Sequence, residues 1–288
     1  MKILQTPATL MLALTVSATA IFAQWPSYPT PGPRAKDGKI DLAAPPPKTA
    51  DGKPDFSGLW EPARGPGGRG GESMNGTLPL PYAIPTSPDD PPVAQFFNIG
   101  AGFKDKLPPL TPWGAELRAQ RKGNNNKDNP DALCEPLGLT QLHMHPQPRK
   151  IVQTPREIVI LYEANGNTRL IYTDGRPLPN NNPTPWYYGY STTHWDGDTL
   201  VVETTGFRDD VWLDVEGSPL TNTGKMTERW RRLKYGLMQI DITIEDPKAY
   251  TKPFTVRVNH QLMPDNSLME FVCEERDAVH YIGKDGKK

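Results

Sequence analysis

The chain of 288 residues carries 32 Lys and Arg against 33 Asp and Glu, a formal net charge of −1 at pH 7. A balance so even, with no block of basic residues, lacks the electrostatic footprint of a nucleic-acid binder, and that partner class is excluded.

Lys2 precedes an apolar run, Leu10 to Val16, and then small residues, with Ala18-Thr19-Ala20 and Ile21-Phe22-Ala23 both offering cleavage sites. A positive start, a short apolar core and a small-residue exit spell a secretory signal over residues 1–23. The run falls short of the ~20 residues that cross a bilayer, and no later segment is apolar enough to do so. The expected location is therefore the periplasm or the exterior, without membrane insertion after the signal is removed. Residues 24–54 contain Pro45-Pro46-Pro47 and two Asp-Gly-Lys steps, which predict a Pro-rich tether or surface-hugging arm. Residues 64–71 read as a flexible Gly-rich loop, and Leu78 to Pro92 resist regular structure.

One short helix is signalled: Thr111 caps, Pro112 suits the first turn, Trp113 to Lys122 follow and Gly123 stops it. From about residue 150 the apolar period becomes two. Met238, Ile240, Ile242 and Ile244 share one face of a strand; Phe254, Val256, Val258 and Leu262 share another with His260; Met269, Phe271 and Cys273 line a last strand. Asn165-Gly166, Asp196-Gly197 and Tyr235-Gly236 supply hairpin turns between successive strands, and Pro264-Asp265-Asn266 precedes the final one. These elements predict a mainly β fold, an antiparallel meander of about eight strands in a single domain over residues 55–282. Closure into a barrel and a β-sandwich both fit. Residues 283–288 read as a disordered tail. Cys134 and Cys273 are the only cysteines, and in an oxidising compartment they are expected to pair, a bridge worth about 4–5 kcal/mol in the chain-entropy picture.

Asp51-Gly52-Lys53-Pro54-Asp55-Phe56-Ser57-Gly58-Leu59-Trp60, Cys134-Glu135-Pro136-Leu137-Gly138 and Gly189-Tyr190-Ser191…Trp195-Asp196-Gly197-Asp198-Thr199-Leu200-Val201-Val202-Glu203-Thr204 resemble motifs of a large family of exported bacterial proteins to which no activity can be assigned. The resemblance runs from about residue 51 to 277. Where that family shows Cys-His-Glu-x-Asn-Tyr, this chain has Cys273-Glu274-Glu275 followed by Asp277 and Ala278, so a His of the family pattern is missing. Gly58-Leu59-Trp60 with the meander is also similar to calycins, the lipocalin-like barrels, which implies a ligand-binding barrel. Such an interior is wider than its side chains fill.

The residue types suited to a pocket are Trp60, Arg176, Tyr188, Tyr190, His194, Glu228, Trp230 and His260. His194 shares a strand side with Tyr188 and Tyr190, rings with polar tips that suit a planar or sugar-like ligand. Glu228, Trp230 and Arg232 alternate onto one side of their strand, and Arg176 offers a bidentate clamp for an anion. The leading expectation is an exported protein that holds a small, partly apolar or aromatic molecule without a cofactor. The alternative is a secreted enzyme using His194 and His260 as acid and base, or His143 and His145 as metal ligands, two imidazoles that would face one side if their segment were a strand rather than a loop. No Gly-x-Ser-x-Gly elbow, phosphate loop, dinucleotide fingerprint or His-Glu-x-x-His occurs, which disfavours the common hydrolases and nucleotide enzymes. Oligomeric state is not legible.

Overall fold

Alternation along one strand organises the molecule. Met238, Ile240, Ile242 and Ile244 are each fully buried because successive side chains of an extended chain point to opposite faces, and these four point into a closed barrel. The computed structural model describes residues 29–63, 84–179 and 185–273. The signal segment 1–23, the Gly-rich loop 64–71 and the tail 283–288 lie outside them.

Nine strands close the barrel: β1 (Gly58–Pro62), β2 (Arg149–Gln153), β3 (Glu157–Tyr162), β4 (Thr168–Tyr172), β5 (Tyr190–Asp196), β6 (Thr199–Thr205), β9 (Lys225–Lys234), β10 (Leu237–Glu245) and β11 (Phe254–Leu262). The order around the wall is β1-β11-β10-β9-β6-β5-β4-β3-β2, and β1 closes it by pairing with both β11 and β2. Between β6 and β9 a short hairpin of β7 (Val211–Trp212) and β8 (Pro219–Leu220) stands apart.

Two departures from a plain meander matter. The β7–β8 excursion is one. The other lies between β4 and β5, the one parallel neighbour pair, which meets only at Tyr172 and Thr192. The chain leaves the barrel after Tyr172 and re-enters at Tyr190 running in the same direction, so no hairpin ladder forms there. The last expected strand, with Met269, Phe271 and Cys273, is absent: residues 266–273 take no regular form. Its physical cause is closure. The free edge of β11 is already taken by β1, leaving no ladder for a further strand to join.

Helix α1 (Pro112–Gly123) forms where Thr111 and Pro112 place it; the Thr111 hydroxyl accepts from the Gly114 amide, and Asn124 rather than Gly123 is the C-cap. A second helix, α2 (Leu139–Met144), has every residue buried. It drops into one end of the barrel, which corrects the expectation of a strand or loop at His143-Met144-His145. The other end is filled by Phe56, which stands edge-on to Trp230 at 5.7 Å and stacks on Trp195 at 6.2 Å. Trp60, at 0% exposure, packs into the same core and donates its indole N–H to the Phe56 carbonyl. The axis of this barrel is therefore occupied by protein, unlike the roomy interior that the calycin resemblance implies.

The Pro-rich arm hugs the barrel. Ile40 and Leu42 are buried, and the Leu42 and Ala44 carbonyls accept from the Gly236 and Tyr235 amides. Cys134 and Cys273 form the disulfide, and no helix among the described residues is long and apolar enough to cross a membrane.

Candidate functional site

Glu228 lies on the inner face of β9 opposite Ile242 on one side and Val202 on the other, at 0% exposure. A lone carboxylate in such a wall is costly. It is paid for by two partners: Arg169 of β4, Nη2 to Oε2 at 2.5 Å, and His143 of α2, Nε2 to Oε1 at 2.6 Å. Burial pushes the Glu228 pKa up, but the Arg169 charge and the hydrogen-bonding His143 overcome it and hold the value near about 2. For His143 burial is the larger effect and lowers its pKa despite the carboxylate. The arrangement is thus a neutral imidazole donating Nε2–H to a carboxylate whose charge is matched by Arg169.

Beside it lies a second layer. Arg149 of β2 donates to the His143 carbonyl at 2.7 Å and the His145 carbonyl at 3.2 Å, and its Nη1 is 2.7 Å from His260 Nε2. The same Nε2 lies 2.8 Å from the His143 carbonyl oxygen, so this nitrogen faces a donor and an acceptor at once. Burial first, then the charge of Arg149, keeps the His260 pKa well below the ordinary value. Arg149 itself is drawn down by burial to about 10 and stays charged. Helix α2 is locked into the barrel through these contacts, Arg149 being held by two carbonyl oxygens and an imidazole.

The cluster lies directly behind the β4–β5 seam. Single-point pairing leaves a gap in the wall, and a cavity of about 360 Å³ occupies it. Tyr172 and Tyr190 line this cavity from the outer face, and Arg169 and Ser191, each 1% exposed, form its floor. Arg169 Nη2 also reaches the hydroxyls of Ser191 at 3.2 Å and Thr204 at 3.1 Å. The outer lip is aromatic: Trp186 and Tyr190 lie 5.6 Å apart, Tyr190 and Tyr172 5.2 Å, and Arg176 sits 3.8 Å over the Tyr172 ring. Tyr188 completes the lining; its hydroxyl is buried and makes no hydrogen bond among the described residues, and burial raises its pKa.

Two other cavities flank the barrel. One of about 440 Å³ lies between α1 and the β7 strand, lined among others by Arg121, Asp128, Glu135, Tyr187 and Trp212. The larger, of about 530 Å³, opens at the Phe56 end beneath Trp195. Of its polar groups, Gln153 accepts from Phe56 and donates to Pro54, Thr154 donates to Glu157, Thr173 to Pro155 and the Thr49 hydroxyl to Asp51. Volume alone would favour it; the number of aromatic rings favours the seam.

The sequence-selected residues scatter across these places. Tyr188 and Tyr190 line the seam, and Arg176 closes over it while held by Asp174 at 2.6 Å. Glu228 and His260 belong to the buried cluster behind it, and Trp60 and Trp230 are core, both at 0% exposure. His194 points the other way, to the outer surface, 3.7 Å from Glu203. It is not brought near His260, which sits sealed on β11, so the two do not form an acid–base couple. His143 and His145 diverge at the end of α2. One faces Glu228; the other packs edge-on to Phe96 at 5.0 Å and lies 3.7 Å from Asp131. Among the described residues no group of three or more His, Cys, Asp or Glu is placed to hold a metal.

Arg149 and Arg169 escaped sequence reasoning. Their signal was present: each stands in phase with a buried isoleucine, Ile151 and Ile171, on strands with one wet face. An arginine in the buried phase predicts a buried partner. No family model, curated protein or solved structure matches the chain.

Proposed function

We propose that the protein is exported and binds a small ring-bearing molecule at the β4–β5 seam. One observation carries this reading: a cavity lies at the seam, lined by the rings of Tyr172, Trp186, Tyr188 and Tyr190, with Arg169 buried behind them. A few aromatic faces converging on a few polar groups is the usual make-up of a small-ligand site, and Tyr and Trp supply apolar area with a polar tip. The ligand's ring stacks on the Tyr190 and Trp186 faces, while one of its polar atoms meets the buried Tyr188 hydroxyl. Arg169 is buried and already matched by Glu228, so it braces the wall behind the rings rather than neutralising an anion.

Export rests on the Lys2-to-Ala23 pattern and agrees with a disulfide-bonded fold. Cell fractionation with N-terminal sequencing of the isolated protein tests it, an intact Met1 in the cytoplasm being the contrary result.

A thermal-shift screen of phenols and neutral monosaccharides, followed by titration calorimetry, tests the seam. Tyr190→Ala is expected to weaken any hit at least tenfold without lowering the melting temperature appreciably. A hit indifferent to both Tyr190→Ala and Tyr188→Phe would place binding elsewhere and defeat the reading.

A further inference from the structure

Tyr187 lines both the seam cavity and the 440 Å³ cavity beside α1. Its ring lies 4.5 Å beneath Arg208, whose guanidinium is held by Asp210 at 3.1 and 3.2 Å, and Asp210 in turn lines the second cavity. The two spaces are thus two lobes divided by one braced aromatic side chain. They differ in chemistry. The seam lobe presents ring faces, with Arg169 buried behind them and Arg176 over the Tyr172 ring at its lip. The second lobe presents Gln120, Asn124, Asp128, Glu135 and Asp210 around Arg121, which covers the buried Trp212 ring.

Charge sorts the occupants. Carboxylates outnumber Arg121 in the second lobe, and Arg121 is spent on the Gly217 carbonyl at 3.1 Å and on the Trp212 face at 4.4 Å. An anion is therefore disfavoured there. At the seam, Arg169 is matched by Glu228 and Arg176 by Asp174, so no free charge of either sign invites an ion. A molecule that spans both lobes is accordingly not an anion, offers a flat apolar face to the seam rings, and carries many groups that both donate and accept hydrogen bonds. Saccharides have this combination: their C–H faces pack on aromatic rings, and their hydroxyls donate to carboxylates and accept from amides and guanidinium groups. A planar phenol satisfies the seam alone and leaves the carboxylates and amides of the second lobe without partners.

We infer that the seam and the α1 cavity form one continuous cleft for a neutral oligosaccharide, with at least one sugar ring on either side of Tyr187. This deepens the seam reading and rests on it. Each lobe falls at the small end of the range of about 300–1,000 Å³ typical of ligand pockets, so one or two rings per lobe is the capacity implied.

Calorimetric titration of the purified full-length protein with unbranched neutral glucose oligomers of one to six units tests the inference. Affinity is expected to rise at least tenfold between one and four units and then level off. Gln120→Trp, on the exposed face of α1, fills the second lobe and is expected to abolish that gain; Tyr190→Ala weakens every length. Affinity independent of length, a gain that survives Gln120→Trp, or no binding by any oligomer in the series would each overturn the two-lobe cleft. If phenols bind in a Tyr190-dependent way while oligomers do not, the cleft falls and the seam stands. Indifference of every probe to Tyr190→Ala removes both.

Discussion

Glu228 is the residue on which the interior turns. Buried ion pairs gain little over apolar packing but are expensive to break singly, because the survivor is left uncompensated. Arg169→Met should therefore cost about 3–5 kcal/mol in denaturant unfolding, whereas Arg169→Met combined with Glu228→Leu should recover much of that loss. Additive costs would mean that the two groups do not act as a pair. The histidines give this cluster a pH signature. His143 and His260 are held neutral, their pKa values below the ordinary value, while the unfolded chain takes up their protons near about 6.5. Between those values the unfolded state binds more protons, so stability rises with pH. Their contribution is whole above about 6.5 and drains away as acid is added. Glu228 acts with the same sign in a lower window, from the ordinary carboxylate value down to about 2. The urea midpoint should fall steadily from pH 7 to pH 4, and more shallowly in His260→Asn. A flat profile would contradict buried neutral imidazoles.

At the scale of elements, legibility followed periodicity. Strands β9, β10 and β11 were readable to within a residue because each alternates apolar and polar side chains, and the Tyr235-Gly236 turn fixed the phase of the first two. Helix α1 was readable from Thr111 and Pro112. Helix α2 was not: its six residues are buried on every side, so no polar stripe marks a period, and prolines close behind it suggest a loop. Only tertiary context makes Leu139–Met144 a helix, since its face must fill a barrel mouth. For the same reason the seam was unreadable, whereas Tyr188 and Tyr190 were visible as candidates: sequence reports which rings are available, but the parallel β4–β5 contact arises from where an excursion happens to return. The disulfide ties the segment before α2 to the C-terminal stretch, where the Met269 amide also donates to Glu163. Cys134→Ser with Cys273→Ser should cost up to about 5 kcal/mol in the chain-entropy picture. Hydrogen exchange should show the loss first as faster exchange of amides in 134–144. Uniform acceleration over the whole barrel would mean that the bridge does not act through the plug.

For the molecule as a whole, stability and binding are assigned to different places, and that separation can be measured. Phe56 fills the end of the barrel remote from α2, between Trp195 and Trp230. Truncating a fully buried phenylalanine usually costs about 3–5 kcal/mol, through lost transfer free energy and the cavity left behind. Trp195 and Tyr190 stand on the same strand, β5, yet five residues apart, or roughly 17 Å at ~3.3 Å per residue. Close packing transmits a local collapse only weakly over such a distance; substitutions more than about 7–10 Å apart without shared partners behave independently. Phe56→Ala is therefore expected to lower the unfolding free energy by about 3–5 kcal/mol while leaving seam affinity within twofold, and Tyr190→Ala to do the reverse. If Phe56→Ala abolished seam binding at a temperature where the protein remains folded, the barrel interior and the seam would be one cooperative unit, and binding would depend on the core that this arrangement treats as a scaffold.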